Sequence, residues 1–152
     1  MQTRRQHLQQ SAVVAGMLAS TGLFPQFAHA AFNKAAFDAK SIADALKAYG
    51  AGAPTESKDV TITAPDIAEN GAVVPLSVST TLPGVKKLLV LVEKNPSAVS
   101  AMFDVNESIE PAFATRVKMG QTSNVYAVAL LADGRMLYAQ KEVKVTLGGC
   151  GG

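Results

Sequence analysis

The sequence is poor in the residues on which most protein chemistry depends. Its 152 residues include one cysteine, two histidines and no tryptophan. Both histidines, His7 and His29, lie in an N-terminal segment that we expect to be removed. The mature chain would then have no imidazole, which excludes a Ser-His-Asp triad, a Cys-His dyad and a histidine-rich metal site. We therefore assign no catalytic residue, no metal ligand and no cofactor.

The sequence also lacks a block of charge of one sign. It has 14 basic and 12 acidic residues, and Arg4 and Arg5 lie in the removable segment, so the mature chain has 12 of each. A neutral chain without a block of Lys and Arg argues against nucleic acid and an anionic membrane as partners, because both need a concentrated basic face. The composition, 48% hydrophobic and 17% charged, predicts one globular domain rather than a disordered chain.

Residues 1–30 have the pattern of a signal peptide. Residues 1–10 are polar and basic, residues 12–24 are mainly apolar, and small residues precede a cleavage point between Ala30 and Ala31. The apolar run is shorter than the roughly 20 residues that cross a bilayer. We therefore expect cleavage, a periplasmic location and no membrane anchor.

The paired arginines Arg4 and Arg5 indicate a twin-arginine signal, which exports folded proteins. His7 and Gln9 depart from the usual pattern at their positions. An ordinary Sec signal is the alternative. If the twin-arginine route is used, the chain could leave the cytoplasm already bound to a partner.

Residues 31–58 predict one short helix followed by a linker. Ser41 and Asp44 have the spacing of a capping box, apolar residues follow at helical spacing, and Gly50 offers a C-cap. The linker covers residues 51–58.

Residues 59–147 predict an all-β domain, an immunoglobulin-like β-sandwich of about seven strands. The strands are expected at residues 60–63, 73–81, 88–93, 102–105, 114–119, 125–131 and 136–147. Asp133–Gly134 predicts a tight primed turn between the last two. In the last strand, residues 143, 145 and 147 are apolar and residues 142, 144 and 146 are polar, so we expect one buried face and one wet face.

Residues 148–152 form a Gly-Gly-Cys-Gly-Gly ending. Cys150 is flanked by Gly148, Gly149, Gly151 and Gly152, which carry no side chains. This flanking predicts a thin, flexible arm that can bring the thiol into a narrow channel of another protein.

Nothing near Cys150 would activate its thiol. A thiol with an ordinary pKa of about 8.5 is only a few per cent ionised at neutral pH. We therefore predict a carrier on which partner enzymes act, not an enzyme. The alternative is an exported β-sandwich module that uses Cys150 to cross-link two chains. A thiol peroxidase or sulfurtransferase is disfavoured, because the mature chain has neither a base nor a resolving cysteine.

The ending Val143 to Gly152 closely resembles that of the SoxY family, the sulfur carriers of the periplasmic thiosulfate-oxidising system. Three inner segments are also similar to the family: residues 64–75, Asn95–Pro96 and residues 115–119. The resemblance implies that Cys150 is the covalent attachment point for sulfur intermediates derived from thiosulfate. It implies a heterodimer with SoxZ and transient binding to a c-type cytochrome, a sulfate-releasing hydrolase and a sulfane dehydrogenase.

Three further features leave alternatives open. The acidic loop Asp104, Glu107 and Glu110 lacks the spacing of a calcium loop and is interpreted as a solvated turn. Met102 and Phe103 could face either the core or SoxZ. Residues 88–92 are apolar on both strand faces, which fits cover by core and helix or by a partner, and we predict a hydrophobic partner interface there.

Overall fold

The computed structural model describes residues 33–50 and 53–146. The predicted signal peptide, including Arg4, Arg5, Ala30 and Ala31, lies outside the described residues. The described residues contain two helices and nine strands: α1 (Lys34–Asp38), α2 (Ile42–Lys47), β1 (Thr55–Glu56), β2 (Val60–Thr63), β3 (Ile67–Ala68), β4 (Val74–Thr80), β5 (Val85–Val92), β6 (Val99–Asp104), β7 (Ala112–Val117), β8 (Ser123–Leu131) and β9 (Met136–Val145). No helix among them is long and apolar enough to cross a bilayer.

The strands form two sheets. The larger sheet has the order β1-β9-β8-β5-β6, with β3 also pairing with β9, and the smaller sheet has the order β2-β4-β7. The pairs β5–β6, β5–β8, β8–β9, β2–β4 and β4–β7 are antiparallel, whereas β1 and β3 run parallel to β9. The predicted all-β, immunoglobulin-like sandwich is confirmed.

The sandwich core lies between the two sheets. Alternate residues of each strand point into it, as the two-residue period of a strand requires. On β4, for example, Val74, Leu76 and Val78 are buried, and on β9 Val143 is fully buried while Glu142 and Lys144 are exposed. The predicted alternation at the end of the last strand is therefore confirmed through residue 146.

The outer face of the larger sheet carries a second apolar cluster, which the helices cover. Leu46 of α2 packs in this cluster with Leu89 and Leu91 of β5, while Leu88 and Val90 face the sandwich core. Residues 88–92 are all 0% exposed. The predicted partner interface on this strand is thus wrong, because both of its faces are covered within the chain.

The helical region differs from the prediction by one helix. Ser41 caps α2 as expected, with its hydroxyl accepting from the Asp44 N–H at 3.1 Å and donating to the Asp44 carboxylate at 2.7 Å. Gly50 ends the helical region with φ of 72°. A further short helix, α1, precedes it, and the Asn33 side chain caps α1 by accepting from Ala36 N–H at 3.2 Å.

The β8–β9 hairpin is present but its turn is not of the predicted type. Leu131 N–H donates to Arg135 C=O at 3.0 Å, and Gly134 N–H donates to Leu131 C=O at 3.1 Å. The loop therefore has three residues, 132–134, and only Gly134 has a positive φ, of 85°. This is a type I turn followed by a bulge glycine, because Asp133 does not adopt the positive φ that a primed turn requires.

Candidate functional site: the root of the C-terminal arm

The predicted functional residues lie just beyond the described part of the chain. Cys150 and its flanking glycines, Gly148, Gly149, Gly151 and Gly152, are outside the described residues. The described chain ends at Thr146, four residues before Cys150. Four residues span at most about 14 Å. The position of Thr146 therefore limits where the thiol can act, and we call residues 144–146 the arm root.

On one side, the short strand β3 holds the arm root. Ile67 and Ala68 lie beside Lys144 and Val145 in parallel register. Lys144 N–H donates to Asp66 C=O at 3.0 Å, and Thr146 N–H donates to Ala68 C=O at 3.1 Å. The Thr146 hydroxyl adds a bond to Glu69 C=O at 3.3 Å. These bonds extend the sheet to the last described residue.

On the other side, the segment that leads into β8 holds the arm root. Ser123 is paired with Val143, and Val145 N–H donates to the Thr122 hydroxyl at 3.0 Å. Neighbours thus flank β9 on both edges at its C-terminal end. A strand held on both edges loses much of the freedom to fray that strand ends otherwise have.

Gly71 allows the closest packing at the root. A Cβ atom at this position would lie 2.4 Å from the Met119 carbonyl oxygen and 2.8 Å from Val145 Cγ1. Met119 N–H donates to Gly71 C=O at 2.7 Å, and the Met119 side chain is fully buried. Only a residue without a side chain lets these three segments approach so closely.

Asn95 connects a further loop to the same region. Its side-chain amide nitrogen donates to Lys118 C=O at 2.7 Å, and its amide oxygen accepts from Gly120 N–H at 3.4 Å. The three inner segments that resemble the SoxY family, residues 64–75, Asn95–Pro96 and residues 115–119, therefore meet around the arm root. In the sequence these segments are separate, and nothing in their spacing along the chain indicates that they meet in the fold.

Lys141 pins the loop before β3 to β9. Its ammonium group donates to Ala64 C=O at 2.6 Å and lies 2.9 Å from a carboxylate oxygen of Asp66. The hydrogen bond from Lys141, together with its charge, lowers the pKa of the exposed Asp66 carboxyl. The loop is thus tied to β9 by a side chain as well as by the main chain.

The remaining sequence candidates lie far from the arm root in the β-topology. Asp104 pairs with Lys87, while Glu107 and Glu110 are exposed. Among the described residues, no three His, Cys, Asp or Glu side chains are grouped so that they could hold a metal ion. Met102 and Phe103, which are both partly buried, have contacts within the chain. Met102 accepts a hydrogen bond from the Tyr49 hydroxyl at 3.2 Å, and Phe103 stacks on Phe113 with ring centroids 4.3 Å apart.

Comparisons with known proteins agree with this geometry. The family model described as "Sulfur oxidation protein SoxY" matches residues 45–150, from α2 to the cysteine itself. The chain is similar to the solved structure of the sulfur carrier protein SoxY from Chlorobium limicola f thiosulfatophilum, at 37% identity over 70% of this chain and 97% of that chain, with a TM-score of 0.64.

More distant structures share the fold alone. A superoxide reductase (neelaredoxin) from Ignicoccus hospitalis has 16% identity, with 57% of this chain and 80% of that chain covered and a TM-score of 0.52. No curated protein matches the chain in sequence.

Proposed function

Because the chain belongs to the SoxY family and is a sulfur carrier protein, we propose that it binds sulfur intermediates covalently on Cys150 and presents them to periplasmic enzymes of thiosulfate oxidation. One observation carries this proposal: the family match extends through the described domain to Cys150 and includes every segment that meets at the arm root. Cys150 is also the chain's sole thiol, so a carrier of covalent sulfur has one attachment point.

The proposed loading step joins thiosulfate to the thiol. The Cys150 S–H bond breaks, a bond forms between its sulfur and the sulfane sulfur of thiosulfate, one proton is released, and two electrons pass to a c-type cytochrome. The product is the thiosulfonate Cys150–S–S–SO₃⁻. The thiol and thiosulfate together supply the two electrons, and the cytochrome accepts both.

The proposed unloading step is a hydrolysis. Water attacks the terminal sulfonate sulfur, the bond between the two outer sulfurs breaks, and sulfate leaves while the persulfide Cys150–S–SH remains. A sulfane dehydrogenase then oxidises the outer sulfur of the persulfide with three waters to Cys150–S–SO₃⁻, which releases seven protons and passes six electrons to a c-type cytochrome. A second hydrolysis releases this sulfur as sulfate and restores the thiol. Each enzyme supplies its own catalytic groups, since the mature chain has no histidine to activate the thiol.

The division of labour between domain and arm supports this proposal. The β-sandwich holds the arm root through main-chain bonds to Asp66 and Ala68 on one edge of β9 and through the bond from Val145 N–H to the Thr122 hydroxyl on the other. The sequence beyond the root has no bulky side chain near the thiol. An anchored base with a narrow tip is what a carrier needs to deliver one group to several active sites. We further propose that the chain works in the periplasm as a heterodimer with SoxZ.

Intact mass spectrometry of the mature protein from cells grown on thiosulfate tests the proposal. We expect additions of sulfur or thiosulfonate mass that reductant removes, and their absence in Cys150→Ser, whose thermal unfolding should be unchanged. A clean thiol would contradict the proposal. A reducible dimer without any sulfur addition would instead support a cross-linked structural module.

A further inference from the structure

The main-chain N–H group of Val145 has a side chain as its hydrogen-bond acceptor. The antiparallel pairing of β8 with β9 ends with Ser123 opposite Val143. Val145 lies two residues beyond this last pair, where β8 has already ended. The Thr122 hydroxyl accepts the Val145 N–H instead, at 3.0 Å. A side-chain oxygen thus extends the sheet by one hydrogen bond past the end of β8.

The two edges of the arm root therefore depend on the sequence to different degrees. On the β3 edge, the acceptors are the main-chain carbonyls of Asp66 and Ala68, which remain in place whatever side chains these residues carry. On the β8 edge, the bond from Val145 requires a side chain with an acceptor at residue 122. A substitution of Thr122 can remove this hydrogen bond without altering the main chain of the arm root.

The fold holds Thr122 in position on both sides. Before it, Gly120 N–H donates to the side-chain oxygen of Asn95 at 3.4 Å. After it, the Ser123 hydroxyl accepts from Lys94 N–H at 3.1 Å, and Ser123 is buried. A hydroxyl on such a fixed segment restrains the strand that it contacts, whereas a hydroxyl on a mobile loop would move together with the strand.

The short arm makes the position of its start important for the thiol. Cys150 lies at most about 14 Å from Thr146, so a displacement of the arm root is a large part of the arm's whole reach. If the end of β9 separates from Thr122, the arm starts from a range of positions. A smaller fraction of carrier molecules then presents the thiol to a given channel, and the apparent affinity for the enzyme falls in proportion to that fraction.

We propose that Thr122 is a positioning residue for the reactions on Cys150. It holds the arm root against the β8 edge through the Val145 N–H group, and it thereby sets the direction in which the arm starts. Its effect is exerted through the main chain of β9. This inference rests on the proposed function, and it adds a residue with which the carrier itself assists each partner enzyme.

Steady-state kinetics of the sulfate-releasing hydrolase test this role. The substrate is the full mature carrier, with its SoxZ subunit, loaded with thiosulfate at Cys150. Thr122→Val keeps the shape of the side chain and removes its hydroxyl. We expect it to raise KM about fivefold with kcat unchanged, because an arm that has entered the channel is no longer affected by how it was presented. Thr122→Ser keeps the hydroxyl and should restore the wild-type KM.

Thr80→Val is the matched control. The Thr80 hydroxyl donates to Asp59 C=O at 2.8 Å and accepts from Leu82 N–H at 3.2 Å, and Thr80 is buried. The substitution removes two hydrogen bonds at the end of β4 that lies away from Gly71. It should lower the unfolding temperature at least as much as Thr122→Val does and leave KM unchanged. A similar rise of KM in both variants would show that lost stability causes it, and would overturn the proposal.

Hydrogen exchange provides a readout that needs no enzyme. In the unloaded carrier, amide exchange at Val145 and Thr146, measured relative to that at Leu89 in the centre of the larger sheet, should become about fivefold faster in Thr122→Val. The ratio should stay at its wild-type value in Thr122→Ser and in Thr80→Val, because global unfolding affects all three amides equally. An unchanged ratio in Thr122→Val would overturn the proposal, since the root would then be held without the hydroxyl.

Three further results separate the possible failures. If Thr122→Val releases SoxZ in sedimentation analysis, the residue acts through the subunit interface and the positioning role is overturned. If Thr122→Val loads normally and its KM is unchanged, the positioning role is overturned while the carrier role stands. If wild-type carrier takes up no sulfur at Cys150, the proposed function fails and the positioning role fails with it.

Discussion

The two ends of the sandwich are built on different principles. At the end that contains the arm root, long-range contacts join segments far apart in sequence, such as Lys141 with Ala64 and Asn95 with Lys118. At the other end, which we call the hairpin end, neighbours along the chain close the turns at residues 131–135 and 106–109, and bonds such as that from Ala132 N–H to Gly84 C=O at 2.9 Å then join these turns to the fold. Asp133 there accepts hydrogen bonds from Arg135, two residues away, at 2.7 and 3.0 Å.

Glycine has a different role at each end. Gly134 at the hairpin end has a φ of 85° and open space where a Cβ would lie, so its requirement is conformational. Gly71 at the root does not have a positive φ, but a Cβ would overlap the main chain of Met119. The comparison teaches that the hairpin end needs correct local turns, whereas the root needs several segments to fit together at once.

The largest expected effect is that of Gly71→Ala. The added methyl would meet a main-chain carbonyl at 2.4 Å, and backbone cannot move aside as a flexible side chain can, so we expect a loss of about 3 kcal/mol in the free energy of unfolding. Chemical denaturation measures it. Gly120→Ala, with no atom within 4 Å of its Cβ position, is the control at the same end. Equal stability of the two variants would show that the root is loosely packed.

Asn95→Ala should have the second largest effect. It removes the partner of Lys118 C=O and of Gly120 N–H, and we expect about 1.5 kcal/mol of destabilisation. The hairpin end offers Asn106→Ala as its counterpart, because the Asn106 side chain accepts from Ser108 N–H, two residues on, at 2.9 Å. Denaturation of both variants should rank Asn95→Ala as clearly the more damaging, and the reverse order would break the comparison.

Gly134→Ala should cost about 1 kcal/mol, because a side chain is strained at positive φ. Gly134→Asn should recover part of the loss, since asparagine tolerates this conformation. Neither variant should alter the KM of the hydrolase for the loaded carrier below the unfolding temperature. A raised KM with intact folding would show that the hairpin end contributes to enzyme binding.

The smallest expected effect is a dependence of stability on acid pH. Lys141 lowers the pKa of Asp66, so their interaction stabilises the fold above the unfolded-state pKa of about 4 and is lost as the pH falls through the lower folded-state pKa. Thermal unfolding across the acid range, from about pH 2 to about pH 6, should show a slope that Asp66→Asn reduces.

The carboxyl of Asp133 at the hairpin end also has a lowered pKa, caused by hydrogen bonds from Arg135. Because that pair is only two residues apart, part of it can persist in the unfolded chain and cancel from the stability. Asp133→Asn should therefore change the slope less than Asp66→Asn does. An equal or larger change would contradict the long-range character assigned to the root.

The sequence predicts the strands well and the root poorly, for a physical reason. Short β-rich runs separated by turn residues are a local signal, and they placed all seven predicted strands, Val60–Thr63 with the same bounds. The strands β1 and β3 have two residues each and no alternation to read. They form because their main chains can hydrogen-bond to the free edge of β9, and that edge exists only in the assembled sheet.

The same distinction holds for the site. Cys150 stands out in the sequence because its glycine neighbours are consecutive along the chain. The residues that hold the root, such as Thr122 and Gly71, gain their role from contacts across the fold. The turn at residues 132–134 shows the limit of a dipeptide signal, since Asp133–Gly134 predicted a turn correctly and its type wrongly.

The position of β9 in the sheet bears on how the chain is made. This strand is synthesised after every other described element, yet it lies between β8 on one edge and β1 and β3 on the other. Until it emerges from the ribosome, β1 and β3 have no partner, and β8, with the fully buried Val125 and Ala127, has a neighbouring strand on one edge only. The larger sheet can therefore close only once β9 is available to it. A chain truncated before β9 could not close its sheet and would be open to proteolysis. A molecule with a closed sheet therefore contains β9, which ends shortly before Cys150.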